Sequence, residues 1–461
     1  NLTSSLGMVL SSGANLTVPA PTGTGINLAS LTVNTGTTFT ASPGIINMGA
    51  TLSINSGATF NHNNGTLNFN GSSDFSMACG NKVLNLVTFN LASNANDVTI
   101  GADCTIPLGN NPTVAIGSVA SNNLVLNGAL TGSGTLTFPV ATSTVTINST
   151  GSITGFSGLS ARSIVVAGPS IDFGTYSPFS ATGLSISSGS ITLPASTSVS
   201  SVSVTGGTFN SGDSLIVSGV MTLSGGTFNA GNFTSVGGDF TRSGTNVFNA
   251  NGGTLSFPGT SAILSCNNAT FGLVNFTGQT QGKTVSSNCN LPLGNNPTIP
   301  QAITLSGILT GTGTLTHTTG TMSVATGADI TGFTGYAGTT NALTISGATL
   351  DFSSHTNTVI GSTFTLSSGS FTAGTSGDMT VGGNLTITTG TFTAPSGTLN
   401  AGGGFLHAGG TFNHNNGTVN LNGGNQVITG TSTFYNLTKE ITSANTYSLT
   451  IPITVTQTVL N

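Results

Sequence analysis

Apolar residues in this chain recur in pairs two positions apart, and each pair runs into a glycine corner. Leu343 with Ile345, Phe364 with Leu366, Leu385 with Ile387 and Phe405 with His407 begin 21, 21 and 20 residues apart. In the last three, Gly369, Gly390 and Gly410 follow, and Phe371, Phe392 and Phe412 come two residues later. The same phrase begins at Met8, Leu31, Leu52, Leu184, Val202 and Met221, each five residues ahead of a glycine. A side-chain period of two turns Leu343 and Ile345 to one face and Thr344 to the other, which predicts short strands half buried.

A strand, a glycine corner and a second apolar position, repeated every 18 to 23 residues, describe one coil of a solenoid. Such a coil cannot bury its apolar face alone and stacks on the next. The predicted fold is therefore all-β, a parallel β-helix (β-solenoid) with ~20 residues per coil and about 23 coils in 461 residues. Right-handedness follows from the general preference of parallel connections. A string of antiparallel sandwiches is the competing reading. It would need strands every 8–12 residues and gives no reason for one phrase to recur at a fixed longer step.

A longer period lies over the short one. Gly57–Phe69, Thr245–Phe257 and Gly410–Leu421 are copies of one line, with Phe60, Phe248 and Phe412 as markers. They divide the chain into long imperfect repeats at about 1–190, 191–360 and an incomplete 361–461, read as one continuous domain, 1–461, cut in mid-repeat.

Composition narrows the picture. Charged residues make up 3% of the chain, Gly numbers 67, Trp is absent and Glu440 is the one glutamate. Exposed helix faces need Glu, Lys and Arg, so helix content is expected near nil. Disorder fits poorly with 36% hydrophobic residues and a formal net charge of −5. Five Lys and Arg make no basic stripe for nucleic acid, and no apolar run is long enough for a transmembrane helix.

Candidate chemistry is sparse. Cys79 matches Cys266, and Cys104 matches Cys289 in the shared run Pro-Leu-Gly-Asn-Asn-Pro. Each pair is about one coil apart, within disulfide reach for stacked coils, which predicts Cys79–Cys104 and Cys266–Cys289 and an oxidising compartment. Four free core thiols are the alternative. His62 and His414 occupy equivalent places, but Ala250 stands there in the second copy, so they read as corner residues and not as ligands. The Asn-Asn-Gly that follows is turn chemistry, and stacking could align such asparagines into amide ladders. Asp172 matches Asp351 as a repeated structural position. Only Asp97 and Asp103 lie close together among the carboxylates, and a glycosidase would need two across one bond. No cofactor or metal site is predicted, and Asn-x-Ser/Thr triplets such as Asn64, Asn232 and Asn436 are what an Asn-, Ser- and Thr-rich chain produces by chance.

Near residue 450, apolar Leu449, Ile451, Ile453 and Val455 alternate with polar residues around Pro452. This stretch is either one more coil or a strand donated to the next subunit.

The line Gly410–Leu421, with Thr433–Leu437 soon after, resembles repeats in large secreted surface proteins of bacteria. The chain is similar in repeat style to the β-helical passenger regions of filamentous-haemagglutinin-like and autotransporter adhesins. The resemblance implies an extracellular or cell-surface protein and carries over no catalytic residue. The expected function is a non-enzymatic structural subunit of an extracellular filament or surface layer. Its partner is itself, head to tail through uncapped solenoid edges or the donated strand, with glycans or other cell-surface material as further partners. An adhesin shaft presenting a binding tip is the alternative, and a polysaccharide-acting enzyme a remote one.

Overall fold

A computed structural model describes the chain apart from residues 1–2, 5–6, 20–25, 92–96, 117–121, 139–143, 261, 376, 440–446, 450–452 and 461. Strands and turns account for all regular structure among the described residues, with no helix. The strands pair in parallel as stacked coils of about 21 residues, a β-solenoid of about 20 turns. That is fewer turns than a uniform short coil gives, because some coils are long: Val98 pairs with Leu124, whereas Ser196 pairs with Ser214.

Contacts divide the chain into two compact units. The first takes Asn1–Ser218 with Leu223–Gly231 and Thr245–Val247; the second takes Gly219–Thr222, Asn232–Gly244 and Phe248–Asn461.

In the first unit, Met8 stacks on Leu31, Leu31 on Leu52 and Leu52 on Met77 in register. A second column runs Leu28, Met48, Phe69, Phe89. Its rings Phe69 and Phe89 lie with centroids 5.6 Å apart, stacked. In the second unit, Leu343, Phe364 and Leu385 form one column with Phe405, and Leu350, Phe371, Phe392 and Phe412 form the next. Leu343 and Ile345 are fully buried while Thr344 is half-buried, as the alternation requires. Each such side chain contributes about 1.5–3 kcal/mol by leaving water.

The corners follow from residue type. Asn63, Asn64, Asn415 and Asn416 have φ of 46°, 57°, 49° and 56°, the left-handed region that asparagine enters at low cost. The amide ladders come from other asparagines, those on outward strand positions. Asn47 Nδ2 donates to Asn27 Oδ1 and Asn68 Nδ2 to Asn47 Oδ1, each at 2.8 Å. The left-handed corner twists its side chains out of line, whereas parallel in-register strands keep theirs directly above one another.

The Leu-Gly-Asn-Asn-Pro run has a structural use as well. Asn111 and Asn296 turn with φ of 46° and 48°, and each side-chain oxygen accepts the backbone N–H of the next coil, Thr135 or Thr314, at 2.8 Å. Gly134 and Gly313 pass so close that a Cβ there would meet those oxygens at 2.0 and 2.2 Å.

Candidate functional site

The side chains able to do chemistry are mostly engaged in holding one coil to another. Asp74, Asp97, Asp103, Asp239 and Asp378 accept the backbone N–H of Asp97, Asn123, Gly80, Ile263 and Thr398, at 2.6–2.9 Å. Every one of these bonds joins neighbouring coils. Asp172 and Asp351 share another geometry, accepting the N–H two residues ahead, from Gly174 at 2.7 Å and Ser353 at 2.8 Å. Hydrogen bonds from Ser353 hold the Asp351 carboxyl below its usual range.

His62 and His414 each take the N–H two residues on, Asn64 at 3.0 Å and Asn416 at 2.9 Å, so both close the corner that the asparagines turn. Cys79 is bonded to Cys104 and Cys266 to Cys289, each with Cα atoms 4.9 Å apart. The closed loops of 25 and 23 residues correspond to about 3 kcal/mol each on the chain-entropy account. Gly430, aligned with Cys79 in the third copy, has φ of 79° and passes so close to the His407 carbonyl that a Cβ would meet it at 1.5 Å.

The stretch near residue 450 lies along its own preceding coil. Tyr447–Leu449 pairs with Gln426–Thr429, and Thr454–Leu460 with Thr433–Lys439. Ile453 and Val455 are half-buried. Ile451, Pro452 and Glu440 lie outside the described residues, as does the side chain of Leu449.

Sequence reasoning passed over a polar cluster inside the second unit. His317, Tyr336 and Asn341 are buried at 0%, 1% and 0% exposure. The His317 Nε2 lies 3.1 Å from the Gln301 carbonyl, and its Nδ1 lies 3.2 Å from the Tyr336 hydroxyl. Asn341 donates to that hydroxyl at 2.8 Å and accepts the Gly361 N–H at 3.0 Å. One tautomer satisfies the set: Nε2–H donates to the carbonyl, Tyr336 donates to Nδ1, and Asn341 donates to Tyr336. The signal was present in the repeat, because His317 follows Thr-Leu-Thr where Phe138 does in the first copy. Lys283 is a similar case. It replaces Val98 in an apolar column, is 2% exposed, and its ammonium is received by the carbonyls of Pro258 and Thr260.

Burial keeps two histidines neutral. Desolvation lowers the pKa of His317, and it carries His355, stacked on Phe352 at 4.0 Å, down to about 4 against a small opposing effect of Asp351. The unfolded chain binds protons at both sites near pH 6.5, so folding is favoured above that pH and the advantage is lost as pH falls toward 4. For His355 alone the change is on the order of 3 kcal/mol. The expected result is a melting temperature that drops steadily between pH 7 and pH 4; a flat profile there would contradict the neutral, buried assignment.

Among the described residues, no three His, Cys, Asp or Glu side chains are grouped to hold a metal ion, and no helix could cross a membrane. Compared with known proteins, the chain matches no family model, no curated protein and no solved structure.

Proposed function

We propose that this chain is a structural element of an extracellular fibre or surface layer, in which copies join end to end by continuing the stack. The observation that carries the reading is the in-register contact between coils. Leu343, Phe364 and Leu385 stack in parallel register, and the same residue pattern receives the next coil each time. A stack of this kind grows by adding an identical rung, whether the rung comes from the same chain or from another copy. The stretch that carries Leu449, Ile453 and Val455 is the segment that would be exchanged if copies join by strand donation. Two further observations support a structural role. Eight aspartates, including Asp97 and Asp103, have carboxylate oxygens bound to backbone N–H groups, and two disulfides fit an oxidising, extracellular setting.

The test is self-association of the purified, oxidised chain, followed by sedimentation and negative-stain imaging over a range of concentrations. Filaments or sheets that lengthen with concentration are expected. A species that stays monomeric at every concentration would remove the assembly reading and leave that of a shaft.

A further inference from the structure

One face of the stack lacks a strand for a single coil, and this happens in both units. In the first unit, Asn15–Thr17, Thr38–Thr40 and Thr59–Asn61 pair in turn. Further on, Thr105–Asn110, Ala129–Ser133 and Ser152–Thr154 pair in turn. The intervening coil crosses this face as residues 80–85, which form no strand, so Thr105–Asn110 has a strand partner on one side only. The second unit repeats the device. Residues 267–272 carry no strand, and Asn290–Asn295 opens a set continued by Ile308–Thr312 and Asp329–Thr331. In both cases the strandless piece follows the first cysteine of a disulfide and the open edge follows the second.

The missing rung leaves a groove. Beside Asn81, Val83, Thr105 and Pro107 its volume is about 420 Å³, and beside Asn268, Thr270, Asn290 and Pro292 about 490 Å³. Polar side chains such as Asn81, Thr105, Asn268 and Asn290 line it, and the edge backbone adds further polar groups. The Cys104 carbonyl accepts the Ala129 N–H at 2.8 Å, and the Cys289 carbonyl accepts the Ile308 N–H at 2.8 Å. Backbone groups alternate sides along a parallel strand, so Thr105 and Pro107, like Asn290 and Pro292, turn theirs toward the groove. Proline has no N–H, which leaves the backbone of this strand edge richer in acceptors than in donors.

The charged side chains nearby are engaged elsewhere. Lys82 donates to the Ser56 carbonyl at 2.8 Å, and Asp103 accepts from Gly80 at 2.6 Å. Their counterparts in the second groove are the uncharged Ala269 and Asn288.

We propose that the two grooves are equivalent binding sites for a short stretch of neutral oligosaccharide. Its hydroxyls donate to the carbonyls of Thr105 and Pro107, or of Asn290 and Pro292, and accept from the single edge N–H. Its C–H faces rest on the proline rings and, in the first groove, on the exposed Val83. An extended peptide fits less well. Proline interrupts the edge, and the strand register shifts between Pro107 and Asn110 and between Pro292 and Asn295. Both features are ways of refusing an added strand.

The test is calorimetric titration of the full oxidised chain with uncharged cello-, xylo-, manno- and chito-oligosaccharides. The same titrations are run on Thr105→Trp, Asn290→Trp and the double variant, with circular dichroism as the check on folding. Both positions are exposed and lie in strands, where tryptophan is accepted. At least one sugar series should bind at two equivalents per chain, each single variant should halve the stoichiometry, and the double variant should abolish it. Radical footprinting of the unaltered chain supplies a readout that needs no variant: Val83 should be protected by the same sugar. The proposal is overturned if no neutral sugar binds, or if binding survives the double substitution with Val83 unprotected. It is equally overturned if a Thr- and Val-rich peptide occupies the grooves and the sugars do not displace it.

Discussion

Replacing Phe392 with alanine is expected to destabilise the coils around it by about 3–5 kcal/mol. The ring is fully buried, stacked on Phe371 at 5.4 Å and on Phe412 at 6.0 Å, with Phe364 meeting it edge-on at 5.3 Å. Its removal opens a cavity that in-register strands cannot close, because their spacing is set by backbone hydrogen bonds. Each coil touches only its neighbours, so the damage is expected to stay local. Hydrogen exchange should show loss of protection in Phe364–Thr372, Thr391–Thr393 and Thr411–Asn413. Amides of Leu31–Val33 should be unaffected. A uniform loss along the whole chain would mean that the coils do not behave as nearest-neighbour units.

Asn341→Ala is the second substitution with a large expected effect, about 2–5 kcal/mol, read from the denaturant midpoint. It takes the acceptor from the half-buried Gly361 N–H and the donor from the buried Tyr336 oxygen, and each group left unsatisfied costs about 1–3 kcal/mol. Tyr336→Phe should be milder than Asn341→Ala. The Gly361 N–H keeps its acceptor, and the Asn341 amide, 3.2 Å from His317 Nδ1, donates there once the hydroxyl is gone. Equal loss in the two variants would show that the hydroxyl does more than satisfy its neighbours.

The coil could be read from the chain because its signal is repeated. Leu343, Phe364 and Leu385 each stand at the head of the same phrase, and the parallel register pairs those very residues. Cys79 and Cys104 were legible for a related reason: a separation near one coil places two residues on adjacent rungs. The groove was not legible. Nothing in Gly80–Asn85 taken alone says that a strand is missing; that depends on the strands Thr59–Asn61 and Thr105–Asn110 lying on either side. Pro107 and Pro292 were the available clue, since proline inside a strand marks an edge. The carboxylates invite a catalytic reading because sequence separation hides their partners. Asp97 meets Asn123, 26 residues away.

Those aspartates have a consequence for the surroundings the protein can tolerate. Their oxygens commit to short, directed contacts with peptide groups, and the chain has only five Lys and Arg. Little of its cohesion therefore acts over long range. Dissolved ions shorten electrostatic reach from about 30 Å at 0.01 M to about 3 Å at 1 M, and here they find almost no field to damp. Fresh water and brine should therefore hold this fold together about equally well.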